Sequence, residues 1–77
     1  MTLEEMQAIT LRHWKENYPQ GLKALGPKMA QRQALACAKL TRMEMDALKA
    51  VGMDEATAWT EAKSLFCLTP PPEIEED

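Results

Sequence analysis

Side chains that could perform catalysis or bind a metal are few in this chain of 77 residues. His13 is the only histidine, and Cys37 and Cys67 are the only cysteines. Neither the C-x-x-C nor the H-x-x-x-H spacing of metal sites is present, and no spacing brings a nucleophile beside a base. Glu4 and Glu5 are adjacent, so they point apart on a helix and form no carboxylate pair. We therefore predict no catalytic site, no metal site and no cofactor, and we expect that the protein is not an enzyme.

The clearest binding chemistry lies in a group of cations in the middle of the chain. Residues 19–51 carry six basic and two acidic residues, a net charge of +4, whereas the flanks carry three basic and ten acidic residues. On a helix, five of these cations and Asp46 fall within a stripe about 100° wide. A positive helix face can bind phosphates or an acidic protein, or it can be a solvated surface. The cations of this stripe, called the basic stripe below, are Lys28, Arg32, Lys39, Arg42 and Lys49.

An acidic segment follows three consecutive prolines near the end of the sequence. Prolines favour an extended polyproline conformation, and a short acidic stretch cannot bury a core, so we predict a disordered tail. The tail either increases solubility, binds a partner or folds back on the basic stripe, with Ile74 as its apolar anchor. Its candidate partner-binding residues are Glu73, Ile74, Glu75, Glu76 and Asp77.

Local signals predict the helices that position these groups. Thr2 and Glu5 form a capping box, Pro19 ends the first helix, and Pro27 suits the first position of the next long one. Asp54 is the predicted N-cap of the last helix. The fold class is therefore all-α, a three- or four-helix bundle of residues 1–69 followed by the polyproline and acidic tail at 70–77. The predicted helices span residues 3–18, 19–25, 27–51 and 54–67.

The long middle helix has two possible forms. Thr41 and Glu44 repeat the S/T-x-x-E capping pattern, which would allow a break near Thr41. Alternatively, the helix is continuous and Glu44 projects from its apolar side towards solvent or a partner. That side is broader than one partner helix covers, which leaves a surface for a dimer contact. The residues on this predicted core-facing side are Ala30, Ala34, Cys37, Leu40, Met43, Ala47, Leu48 and Val51.

The composition favours helices in a single small domain. Aromatic residues make up 5% of the chain and β-branched residues are sparse, which disfavours strands. No apolar run approaches the ~18–20 residues that cross a bilayer, and no segment resembles a signal peptide. We expect a cytoplasmic protein with reduced thiols and no membrane contact.

Residues 2–19 read as an opening amphipathic helix, and residues 52–73 contain Trp59 and, at 68–71, the sequence L-T-P-P. These two segments resemble small helical proteins encoded by bacterial prophages and mobile elements. The resemblance implies an accessory protein that acts by binding, such as an inhibitor of host defence of the anti-CRISPR type. It implies no catalytic residues.

Three functions are open at this point. The leading prediction is a non-catalytic protein–protein interaction module with a protein partner. The first alternative is a nucleic-acid-associated regulator that uses the basic stripe. Against it, the last helix is acidic, whereas a recognition helix that enters a DNA groove needs positive charge. The second alternative is a self-assembling structural protein, for which a homodimer is the simplest form.

Overall fold

A computed structural model describes residues 1–72, and these residues form helices joined by short connections. The all-α prediction is confirmed, and the described residues contain four helices and no strand. The predicted tail residues 73–77 lie outside the described part of the chain. The helices are α1 (Leu3–Asn17), α2 (Pro19–Leu25), α3 (Pro27–Ala50) and α4 (Glu55–Phe66).

The helix ends follow from local side-chain chemistry. The Thr2 hydroxyl oxygen accepts a hydrogen bond from the Glu5 amide at 3.1 Å, and the Glu5 carboxylate accepts one from the Thr2 amide, which completes the predicted capping box. The Asp54 carboxylate accepts a hydrogen bond from the Thr57 amide at 2.7 Å, as expected of an N-cap. Gly26 connects α2 to α3 with a φ of +78°, a backbone conformation that side-chain-bearing residues rarely adopt.

Helix α3 is continuous through Thr41, so the alternative of a break at this residue is wrong. The Thr41 hydroxyl donates to the Cys37 carbonyl one turn earlier, at 2.7 Å, instead of capping a new helix. Its oxygen also lies 3.1 Å from the Cys67 sulfur, beyond the end of α4. Thr41 is fully buried, and it therefore serves as a polar contact between α3 and the segment that follows α4.

The core lies between one side of α3 and the two helices that flank it. Helices α1 and α4 both pack on α3, whereas no described Cα atom of α1 lies within 8 Å of a Cα atom of α4. Long side chains such as Met6 and Met45 fill the space between them. One cluster of buried residues consists of Met6, Ala38, Met45, Ala58, Ala62 and Cys67. A second cluster consists of Trp14, Leu25, Ala30 and Ala34.

The opposite side of α3 corrects the predicted core face. Leu40 is 46% exposed, Met43 is 67% exposed and Val51 is 80% exposed, and Ala47 is also exposed. Leu65 of α4 is 57% exposed as well. Small side chains let α1 and α4 approach the same side of α3, so Leu40, Met43 and Val51 remain outside. The buried residues of α3 are Ala30, Ala34, Ala38, Thr41 and Met45.

The segment after α4 closes the core against α1 and α2. The indole Nε1 of the fully buried Trp14 donates a hydrogen bond to the Thr69 carbonyl at 2.8 Å. Two residues later, Pro71 packs so closely on Gly21 that a Cβ atom added there would lie 2.8 Å from the proline Cγ. A glycine is needed at position 21 because two segments lie close together there, and not because the backbone angle is unusual.

The contact between Gly21 and Pro71 predicts that Gly21→Ala changes the free energy of unfolding in opposite directions in the presence and in the absence of Pro71. In the wild-type background, Gly21→Ala should destabilise the fold by about 1 kcal/mol or more, because the new methyl group overlaps the proline ring. In a Pro71→Ala background, the same substitution should stabilise it by about 0.5–1 kcal/mol, the usual advantage of alanine over glycine within a helix. Urea unfolding followed by circular dichroism measures both values. If Gly21→Ala changed the free energy of unfolding in the same direction in both backgrounds, the contact would be contradicted.

The N-cap of α4 predicts a pH dependence of stability. Hydrogen bonds from Thr57 hold the pKa of Asp54 below its ordinary value of 3.8. A carboxylate whose pKa is lowered on folding stabilises the protein above its unfolded pKa, and this contribution disappears as the pH falls through the folded pKa. The side-chain amide introduced by Asp54→Asn still caps the helix but does not titrate.

The measurement is the difference in unfolding free energy between wild type and Asp54→Asn, from urea unfolding between about pH 6 and about pH 2. Below about pH 4 we expect the wild type to lose unfolding free energy relative to Asp54→Asn. All other carboxylates are present in both proteins and cancel. A difference that stays constant over the whole range would contradict the role of the charged cap.

Candidate functional site

Two of the five basic-stripe side chains are used inside the molecule. The Arg42 guanidinium donates a hydrogen bond to the Met1 carbonyl, with 2.6 Å between Nη2 and the oxygen. Lys49 Nζ lies 3.8 Å from Glu55 Oε1, which links the end of α3 to the start of α4. These two cations therefore connect parts of the fold and are less available to a partner.

The other three cations of the stripe are exposed along the first part of α3. Lys28, Arg32 and Lys39 make no ion pair with any residue in 1–72. At about 1.5 Å of rise per residue they extend over roughly 16 Å of helix. The positive charge that faces solvent is therefore concentrated near the N-terminal half of α3.

A groove of about 760 Å³ lies where α3 begins beside α1. Gln7 lines the groove, and its side-chain amide donates to the Gln31 carbonyl at 2.8 Å, which links α1 to α3. Lys28 and Arg32 stand at the groove, and most of the remaining lining is apolar. The residues that line this α3 groove are Gln7, Leu25, Gly26, Pro27, Lys28, Met29, Gln31, Arg32 and Leu35.

The start of α3 adds to the positive potential of the groove. The first turn contains no acidic residue, and Gly26 at the N-cap offers no side chain to accept a hydrogen bond. The positive end of the helix dipole is thus not neutralised by its own first turn. Together with Lys28 and Arg32, it favours carboxylate or phosphate groups at this end of α3.

The α3 groove continues into an apolar depression between α1 and α2. This second cavity of about 370 Å³ shares Gly26, Pro27 and Gln31 with the first and adds Leu11, Leu22, Lys23 and Ala30. A ligand lying across both would meet Lys28 and Arg32 at one end and mostly apolar side chains, together with Lys23, at the other.

A second exposed feature runs along the outer side of α3. Ala36, Leu40, Met43 and Ala47 are all exposed, and their spacing of four, three and four residues places them in one line on the helix. We call these four residues the α3 seam. They lie on the side opposite to the buried residues and beside the basic stripe.

The potential nucleophiles and metal ligands are engaged in structural contacts. His13 Nδ1 lies 3.1 Å from the Asn17 side-chain amide, and its ring packs edge-on against Tyr18. Cys37 and Cys67 are both free thiols, and the Thr41 hydroxyl contacts the Cys37 carbonyl and the Cys67 sulfur. Among residues 1–72, no three His, Cys, Asp or Glu side chains are grouped so as to hold a metal ion.

The sequence predicted the cations of this site but not the groove beside them. Gln7, Leu25 and Leu35 line the groove from three different helices, and no spacing in the sequence links them. The available local signal was the Gly26–Pro27 helix start without a following acid. The predicted tail residues, Glu73 to Asp77, lie outside the described residues.

Comparisons with other proteins give no family for this arrangement. No known protein family matches the chain, and no curated protein or solved structure is significantly similar to it. Within residues 1–72, no helix combines the length and apolarity that a bilayer crossing requires. The surface chemistry of residues 1–72 is therefore what points to a function.

The environment of the two thiols predicts their reactivity. Burial raises the pKa of the Cys37 thiol above its ordinary value of 9.0, and the nearby Cys67 raises it further. Because the thiolate is the reactive form, iodoacetamide should alkylate Cys37 more slowly than an unstructured thiol at pH about 8. Cys67, which is fully buried, should react only when the protein unfolds.

Peptide mass spectrometry of a labelling time course, with and without urea, measures both rates separately. Alkylation of Cys67 in the native protein at the rate found in urea would show that the contact with Thr41 is not maintained in solution.

Proposed function

We propose that the chain is a non-catalytic protein-interaction module that binds an acidic segment of a partner protein in the α3 groove. The observation that carries this proposal is the position of Lys28 and Arg32, two exposed cations without ion pairs in residues 1–72, beside an apolar cavity. Their charge is reinforced by the start of α3, where no acidic side chain neutralises the helix dipole.

Both kinds of groove surface fit an acidic peptide that also carries apolar side chains. Arg32 can bind a carboxylate through two parallel hydrogen bonds, and Lys28 offers a more flexible cation. Leu25, Pro27 and Met29 offer apolar surface for a side chain next to the carboxylates. The cations would determine specificity and association rate, while apolar burial would supply much of the affinity.

A protein partner explains this surface better than a nucleic acid does. Two of the five stripe cations are already used within the fold, so the row that could follow a phosphate backbone is short. The groove also offers apolar surface, for which phosphates have no use. The resemblance to prophage proteins supports, as part of this proposal, an accessory or inhibitory role towards a host protein.

Charge reversal at the groove tests the proposal. The tagged chain is used for affinity capture from a bacterial lysate, and captured proteins are quantified by mass spectrometry. We expect a stoichiometric protein partner with the wild type and at least a tenfold loss with Lys28→Glu/Arg32→Glu, because two attractive contacts become repulsive. The matched control, Arg12→Glu/Lys15→Glu, introduces the same charge change on exposed positions of α1 and should retain the partner.

Three outcomes would contradict the proposal. The partner could be retained equally by the groove variant, no stoichiometric protein could be recovered, or the captured material could be a nucleic acid that nuclease removes. Circular dichroism of both variants establishes that the loss does not come from unfolding.

A further inference from the structure

We propose that the α3 seam binds the α3 seam of a second copy of this chain, with the two helices antiparallel. This inference concerns a surface outside the α3 groove and does not depend on the proposed partner. It starts from the exposure of Leu40 and Met43, which is unusual for two large apolar side chains one turn apart on a central helix.

The composition of the seam suits close packing of two helices. Leu40 and Met43 form its centre, and Ala36 and Ala47 lie one turn further out on each side. Residues spaced by four, three and four positions face a neighbouring helix along a single line. Small residues at both ends allow the two backbones to approach, so that the central Leu and Met side chains come into contact.

An antiparallel register makes the seam complementary to itself. When Leu40 lies opposite Met43 of the second copy, Ala36 lies opposite Ala47 of that copy, and the two-fold axis repeats both contacts. Every large residue then faces a large residue and every small one faces a small one. Such a contact is closed, because the same patch is used on both copies.

Charge complementarity at the edge of the seam supports this register. Lys39 and Asp46 lie on the same flank of the seam, and both are exposed without an ion pair in residues 1–72. In an antiparallel pair, equal flanks face each other, so Lys39 of each copy lies beside Asp46 of the other. The dimer therefore gains two symmetric ion pairs from side chains that the single chain leaves unpaired.

A parallel arrangement is less favourable for the helix dipoles. It would place two equally directed dipoles side by side, with Lys28 and Arg32 of both copies at the same end of the dimer. The antiparallel arrangement opposes the dipoles and moves these cations to opposite ends of the dimer. It also leaves the two α3 grooves far apart, so each copy can still bind a partner.

Sedimentation of the intact chain over a concentration series reaching about 1 mM tests the dimer. We expect a reversible monomer–dimer equilibrium for the wild type and a dissociation constant at least about 100-fold higher for Leu40→Gln/Met43→Gln. Both side chains are exposed in the single chain, so this variant should keep its helical circular dichroism. Val51→Gln removes an even more exposed apolar residue beyond the seam and should leave the equilibrium unchanged.

A charge-swap series tests the register. Lys39→Glu alone and Asp46→Lys alone should each weaken the dimer by roughly threefold to tenfold, and the double variant should restore it. Carbodiimide cross-linking of a mixture of ¹⁴N- and ¹⁵N-labelled chains should join Lys39 of one copy to Asp46 of the other. A cross-link from Lys39 to Glu44 instead would indicate the parallel pair and overturn the antiparallel arrangement.

The proposals for the α3 seam and for the α3 groove can be contradicted independently. A strict monomer at all concentrations, or a dimer that survives Leu40→Gln/Met43→Gln, would overturn the self-association. Neither result would affect capture of a partner through Lys28 and Arg32. Conversely, loss of the proposed partner binding would leave the dimer equilibrium as a separate property of α3.

Discussion

The arrangement of this protein depends on the small side chains on one side of α3. Ala30, Ala34 and Ala38 are buried, and they allow both α1 and α4 to lie close to the same helix. Alanine buries little apolar surface, so each contact contributes little to stability, but the short distance between backbones brings in Met6 and Trp14 from α1. The core, the groove at the helix start and the exposed outer side of α3 all follow from this asymmetry.

The sequence was informative about helix ends and less so about which side of a helix is buried. Ends are determined within a few residues, by a capping hydroxyl at Thr2, a carboxylate at Asp54 or the missing amide of Pro19. Burial is decided by the neighbouring helices. Hydrophobicity favours Leu40 and Met43 over alanine for the core, yet the packing of two helices selects the alanines.

The candidate site shows the same division between local and long-range information. The periodicity of α3 correctly groups its cations on one side, because that property belongs to a single helix. Periodicity could not show that Arg42 binds the Met1 carbonyl, 41 positions away, while Lys28 is left to face a groove. The groove itself needs Gln7 from α1, whose partner on α3 is 24 positions distant. Such pairings depend on the whole fold and have no signature in the local sequence.

The hydrogen bond from Trp14 to Thr69 has a consequence for how the chain folds during synthesis. The two residues are 55 positions apart, so at about 5–20 residues per second the ribosome adds the second one roughly 3–11 s after the first. Until Thr69 is added the indole has no carbonyl partner, and the side of α3 that receives Cys67 lacks its contact. The nascent chain can form helices early, but its native packing has to wait for the segment that follows α4.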